Sequence, residues 1–191
     1  GKLTAFLGIE NGYAIGQELS LIKHFYEEGV RYITLCHTSD NDICDSSTDR
    51  NDPEDRGLSQ FGRQVVAECN RLGMIVDISH ASDRSFWDVL ASSQAPIIAS
   101  HSCVRAVCDN PRNLTDDMIK ALAAKGGVIQ ICFLSAYVKK PKPNPDRDQA
   151  FQEFRAKYGN WRDIKDEAQR EKIMAEMQEL NRKYPVELAT V

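Results

Sequence analysis

The chain has 191 residues, 42% of them hydrophobic, with a formal net charge of −4. That is enough apolar material for one cored domain, and two small ones remain open. Nothing here suggests a nucleic-acid binder, which would show a basic stripe, and no apolar run has the length of a membrane span.

The opening residues lack the charged-then-apolar pattern of a signal peptide. The first residue is not Met, and strand-like sequence begins at once, so the chain is expected to start inside a larger protein. Leu3-Thr4-Ala5-Phe6-Leu7-Gly8-Ile9 is an apolar run that ends at Glu10, and Asn11-Gly12 breaks it. Between Glu18 and Glu28, Leu19, Ile22, Phe25 and Tyr26 recur at helical spacing, and Gly29 closes that helix. His24 sits in this helix as a surface residue. Arg31 to Cys36 is a second β-rich run, ending at His37.

Asp40 to Arg56 is polar and acidic, with Asp40, Asp42, Asp45, Asp49, Asp52, Glu54 and Asp55 against Arg50 and Arg56. A calcium loop would alternate its ligands and place glycine at the sharp turn, and neither holds here. The stretch reads as a solvated loop over a site mouth. Ser59 to Leu72 predicts a helix with Phe61, Val65, Val66 and Cys69 on one face and Gly73 as terminator.

The centre of the chain holds two short apolar runs that each end in Ser-His: Met74 to Ile78 before Ser79-His80, and Ala95 to Ala99 before Ser100-His101. Ser82 to Ser93 between them has room for a crossover helix, which makes a βαβ unit. Thr115 caps a further helix with Asp116 and Asp117 in its first turn, running to Gly126-Gly127. Val128 to Phe133 is the fifth strand candidate. Strands alternating with helices predict a parallel sheet with helices outside, and right-handed crossovers predict consecutive strand order.

The composition changes after Phe133. Lys139-Lys140-Pro141-Lys142-Pro143-Asn144-Pro145 holds no long regular element. Gln149 to Tyr184 is charged and helix-rich, with short stripes at Phe151, Phe154 and Tyr158 and at Ile173, Met174, Met177 and Leu180. The organisation expected is a barrel segment over 1–137 and a connection with peripheral helices of the same domain over 138–191.

The chain has six cysteines and no Cys-x-x-Cys pair. Several fall within predicted strands or helices, as buried thiols do. This reads as reduced cysteine in a cytoplasmic-type enzyme, with export of a parent protein not excluded. The even count leaves a disulfide open, with Cys108 in its loop as one end.

Chemistry gathers at the carboxyl ends of parallel strands. Glu10, His37, His80 and His101 all fall there, so three of the four histidines share one rim with a carboxylate. Imidazole and carboxylate are the usual ligands of zinc and similar divalent ions. Singly, each residue has a structural alternative: Glu10 as a turn cap, His37 as a structural histidine, Arg112 as the surface partner of Asp109 or Asp116.

Several stretches together resemble the membrane (renal) dipeptidase family of zinc metallopeptidases. They are Gly8-Ile9-Glu10-Asn11-Gly12, Gly29 to His37, Gly57-Leu58-Ser59-Gln60-Phe61-Gly62, Asn70 to His80, Ser100-His101-Ser102 and Asn110-Pro111-Arg112-Asn113. The resemblance implies an α/β fold, a partial (β/α)8 TIM-type barrel holding strands three to seven of eight, with charged C-terminal helices. It implies that Glu10 bridges two zinc ions and that His80 and His101 complete one of the two sites. His37 would polarise the scissile carbonyl, and Arg112 would clamp the substrate carboxylate. Asp77 also precedes His80 at strand-end spacing, and it is expected to be structural or to support the metal ligands from behind. The implied reaction is attack of a dizinc-activated hydroxide on a dipeptide bond.

Two family features have no counterpart: a His-x-Asp pair on the first strand and an Asp in an Asp-Phe-Asp run near the last. Asn11 replaces a usual glycine. One three-ligand zinc site is therefore expected here, in a chain inactive by itself and self-associating through its open edges. The alternatives are another metal-dependent barrel hydrolase, acting on lactones or amides, and a non-catalytic partial barrel.

Overall fold

The computed structural model describes residues 2–51, 54–140, 142–159 and 164–186. Asp52 of the acidic stretch and Pro141 of the proline-rich stretch lie outside them. The chain forms two compact units, Gly1–Lys139 and Lys140–Val191.

The first unit carries five strands: β1 (Leu7–Glu10), β2 (Val30–Thr34), β3 (Ile75–Asp77), β4 (Ile98–Ser102) and β5 (Val128–Ile131). They form one sheet in the order β1-β2-β3-β4-β5, and every pairing is parallel. The helices α1 (Ser20–Glu27), α2 (Gln60–Leu72), α3 (Asp83–Ser92) and α4 (Asp116–Ala124) make the connections. The predicted alternation and strand order are both present.

Local chemistry sets the helix ends. Ser59, Ser82 and Thr115 each accept a first-turn backbone N–H at the start of α2, α3 and α4. Gly73 ends α2 at φ 77°, a left-handed conformation without penalty for glycine. The apolar faces of α1 to α4 meet Ile33, Val76 and Ala99 of the sheet in one buried cluster. Residues one position along the strands point the other way. Thr34, Asp77 and Ser100 therefore line the opposite face, and Thr34 and Asp77 are fully buried there.

Some boundaries differ from expectation. β1 begins at Leu7 rather than Leu3, because its parallel partner begins only at Val30, opposite Leu7. Leu3 and Phe6 are exposed. Gly8 lies opposite Tyr32, and a Cβ there would meet the tyrosine ring at 2.0 Å. A 3-10 turn at Gly12–Ile15 and a short helix α5 at Ser135–Val138 were not anticipated.

The acidic stretch is more than a solvated loop. Ile43 and Cys44 are buried, and Cys44 bridges to Leu58. Its carboxylates bind backbone: Asp40 takes the Ser46 N–H at 2.7 Å, and Asp45 takes those of Arg56 and Gly57. Asp55 accepts from Ser82 Oγ at 2.7 Å, which ties the stretch to α3. All six cysteines are free, so the disulfide left open by their even number is not formed.

In the second unit α6 (Pro145–Tyr158) starts earlier than predicted. Asn144 accepts the Arg147 N–H and Pro145 occupies the first turn, where a missing N–H costs nothing. It packs on α7 (Glu167–Lys183) through Phe154 and Ile173, both buried. Lys157 pairs with Glu176 at 2.8 Å.

Candidate metal centre and active site

Glu10 is the last residue of β1. Asn11 follows with φ 84°, a left-handed value that asparagine tolerates better than other non-glycine residues. Its Oδ1 accepts the Tyr13 N–H at 3.1 Å and Asn41 Nδ2 at 3.2 Å. The substitution for glycine is thus absorbed by the turn, which leaves Glu10 at the rim.

His37 and His80 lie three residues beyond β2 and β3, and His101 lies inside β4. Two of these histidines, His80 and His101, are turned inward by different devices. At His80 the Ala81 N–H donates to Ile78 O at 3.0 Å across Ser79-His80, and φ is 74°. The positive φ at the third turn position is what a type II turn requires. In a histidine it stores strain, of order 1–3 kcal/mol. At His101 the pairing of β4 with β5 shifts register between Ala99 and Ser102. A bulge of this kind re-aims a side chain.

The result is convergence on one carboxylate oxygen. Glu10 Oε1 lies 3.3 Å from His80 Nε2, 3.3 Å from His101 Nε2 and 3.6 Å from His37 Nε2. The two Nε2 atoms of His80 and His101 are 2.9 Å apart. Glu10, His80 and His101 form a group whose ligand atoms all lie within 4.8 Å of one another. The His37 ring stacks at 4.2 Å from that of His80.

His80 is almost fully buried and its Nδ1 has no partner in hydrogen-bonding geometry. Burial, followed by the charges of Arg112, His37 and His101, pushes its pKa down to about 3. The His37 backbone opposes this weakly. His80 is therefore a neutral imidazole at ordinary pH, the form that binds a metal. Two nitrogens and a carboxylate, packed this closely around one point, fit a divalent cation.

Arg112 is not the surface residue its acidic neighbours in sequence allow. It is 5% exposed. Its Nη2 donates to His101 O at 3.3 Å, its guanidinium lies 5.4 Å from the Tyr137 ring centre, and its Nε is buried without a partner. No carboxylate pairs with it among the described residues. Asn110 and Asn113 hold its loop: Asn110 Oδ1 accepts the Arg112 N–H, and its Nδ2 donates to Ala136 O. Asn113 Nδ2 donates to Cys108 O and Tyr137 O, both at 2.8 Å. Arg105, which sequence reasoning missed, grips Asp83 through two 2.6 Å bonds and pins the same loop to α3.

His80 and Arg112 open onto one cleft of about 390 Å³, lined also by Thr38, Thr48, Arg50, Asn110 and Tyr137. Thr48 and Arg50 come from the stretch expected over a site mouth, whereas Thr38 and Tyr137 carried no signal in the sequence. Each reaches the cleft from a segment whose path depends on the sheet. One histidine of the cluster, His80, and a buried guanidinium without a carboxylate partner thus face the same space.

The comparisons agree with this architecture. A family profile described as membrane dipeptidase, peptidase family M19, matches residues 1–180. The chain belongs to the membrane dipeptidase family. Dipeptidase 3 of Mus musculus is 42% identical over 133 residues, which is 68% of this chain and 27% of that protein. An uncharacterized dipeptidase of Schizosaccharomyces pombe is 39% identical over 142 residues, 74% of this chain and 34% of its own. The chain thus spans about a third or less of the length of these relatives.

Among solved structures, the probable dipeptidase PvdM of Pseudomonas aeruginosa superposes with a TM-score of 0.69 at 35% identity, covering 79% of this chain and 38% of that one. A metallo peptidase of Rhodobacter sphaeroides, solved with a phosphinate mimic of the dipeptide L-Ala-D-Ala, gives 0.65 at 28% identity, over 71% and 39%. The five-stranded parallel sheet of this membrane dipeptidase family member is accordingly part of a TIM-type (β/α) barrel.

Proposed function

We propose that this chain supplies one metal site and the substrate-carboxylate clamp of a zinc-dependent dipeptidase. The observation that carries the reading is Arg112. A buried guanidinium without an anion is costly, and this one opens on the cleft that holds His80. The missing anion is then the ligand's. A guanidinium fork matches a carboxylate in bidentate fashion, which favours a dipeptide with a free C-terminus over a lactone.

Glu10, His80 and His101 would hold the cation, with the nitrogen-rich donor set favouring zinc, and Glu10 would also serve as ligand to a second ion in a complete site. A divalent ion bound there supplies Lewis acidity and lowers the pKa of water. The chain's own residues do the rest. Arg112 and Tyr137 orient the carboxylate end of the substrate. His37, half-exposed beside Glu10, donates a hydrogen bond to the carbonyl oxygen as charge develops on it.

One metal-ligand group of three or more converges among the described residues, and the chain alone is expected to turn over dipeptides little or not at all. We also propose self-association through the outer strands, where Leu7 on β1 and Val128 and Ile131 on β5 are exposed. Sedimentation of the chain tests this, a concentration-independent monomer being the contrary result.

The functional test loads the chain with Zn2+ and measures binding of a dipeptide and of its C-terminal amide by calorimetry. The dipeptide should bind, and both the amide and the Arg112→Met variant should lose that binding. Equal affinity for acid and amide would favour the lactone or amide hydrolase. Absence of zinc uptake would favour a non-catalytic partial barrel. Robust hydrolysis by the isolated chain would overturn its expected inactivity.

A further inference from the structure

Asp77 is fully buried in β3 and faces only donors. Its Oδ1 accepts the Ser79 N–H at 3.0 Å and the Ser100 N–H at 2.9 Å. Its Oδ2 accepts Thr34 Oγ1 and Ser100 Oγ, both at 2.6 Å. No cation pairs with it among the described residues. The carboxylate therefore ties strands β2, β3 and β4 together directly behind the metal-ligand cluster.

Ser100 carries the consequence forward. A hydroxyl has one proton to give, and the 2.6 Å bond commits that proton to Asp77. Toward His101 Nδ1, 2.8 Å away, Ser100 Oγ is then an acceptor. Ser79 Oγ, which takes the His101 N–H at 3.0 Å, offers its own proton to Ser100 Oγ at 3.3 Å. On that assignment Nδ1 of His101 holds a hydrogen, and its Nε2 turns a lone pair toward His80 Nε2, 2.9 Å away. The repeated Ser-His pairs are not equivalent, since His80 Nδ1 has no such partner.

We propose that Asp77 and Ser100 are positioning residues that lock His101 in its Nδ1–H tautomer, so that Nε2 is a ready-made ligand for a divalent cation. This rests on the reading of Glu10, His80 and His101 as a metal-binding set. A carboxylate–hydroxyl–imidazole chain fixes ring orientation and tautomer together, and loss of such support costs roughly 10–100-fold in metal affinity.

The test uses the whole chain and two readouts. Long-range 1H–15N spectra of the chelator-treated protein report which nitrogen of His101 is protonated. Calorimetric titration with Zn2+ reports affinity. The wild type should show Nδ1–H. Ser100→Ala should lose that pattern and bind zinc roughly 10–100-fold more weakly, and Ser100→Thr, which keeps the hydroxyl, should restore both.

Asp77→Asn gives a sharper outcome. Its amide would donate to Ser100, whose proton would then turn to His101 Nδ1 and shift the ring to Nε2–H. Circular dichroism and urea midpoints confirm that each variant is folded. An Nδ1–H pattern that survives in Ser100→Ala, or an unchanged zinc Kd, overturns the proposal. A wild type that takes up no zinc, with His80→Ala behaving identically, overturns the metal reading instead. The spectra still decide the tautomer lock in that case.

Discussion

Replacing Arg112 with Met is expected to stabilise the metal-free chain while removing its affinity for a carboxylate. The side chain is 5% exposed and its Nε is unpartnered. What it gains is one hydrogen bond to His101 O at 3.3 Å and the face of Tyr137 at 5.4 Å. Together these contribute about 2 kcal/mol. Against them stands the cost of burying an uncompensated ion, several kcal/mol even after relaxation. Methionine is flexible enough to fill the slot without a charge. The net expectation is a gain of about 1–3 kcal/mol, read as a higher urea midpoint with an unchanged slope. Dipeptide binding to the zinc-loaded variant should weaken by about 2–5 kcal/mol, the usual effect of truncating one partner of a buried charge pair. A variant less stable than the wild type, or one that binds a dipeptide undiminished, would refute the idea that Arg112 waits for an anion.

Three further outcomes are expected. Gly62→Ala in α2 would drive a Cβ to 2.2 Å from the Ile43 carbonyl oxygen. That contact is with backbone, so a loss of about 3 kcal/mol in urea unfolding is expected, and a loss under 1 kcal/mol would show that the acidic stretch is not pinned there. Asn11→Gly should be nearly neutral and Asn11→Ala should cost about 1–2 kcal/mol, because only the alanine combines positive φ with a Cβ and no side-chain bond. Equal midpoints for the two would contradict the strain at that turn. The third concerns acid. In the folded, metal-free chain the pKa of His80 is depressed to about 3 from 6.5, so below pH 6.5 the unfolded state takes up the proton first. Stability is then full above about pH 6.5 and falls toward pH 3, by at most about 1.4 kcal/mol per unit. Urea unfolding in chelator across this range should show the slope and His80→Asn should flatten it. Parallel profiles for both proteins would argue against a buried neutral imidazole.

Much of the fold was legible because its signals are local. Ser59, Ser82 and Thr115 announce helix starts, and Gly73 announces a stop. The two apolar runs before Ser79-His80 and Ser100-His101 announce strands, and right-handed crossovers leave one strand order for such a pattern. Glu10, His37, His80 and His101 could be named because strand ends share a rim whatever the side chains do. The start of β1 was less legible, since a strand begins only where its partner offers hydrogen bonds. Here that partner begins at Val30.

The sequence by itself determined the alternation of strands and helices, the positions of the acid and the imidazoles along the chain, and the family whose pattern they follow. Only the tertiary structure decided the rest. Arg112 sits near Asp109 and Asp116 in sequence, yet it is buried against Tyr137 and meets neither. Asp77 reads from the sequence as a structural or supporting carboxylate, but its partners, Thr34 and Ser100 from the strands on either side, were set by the fold. Ser79 and Ser100 precede their histidines identically, and only one of them reaches an imidazole nitrogen. These outcomes depend on which strands lie side by side and on a register shift in β4. Periodicity reports the face a residue takes, but a hydrogen-bond partner is chosen at ångström scale by chain that lies tens of residues away.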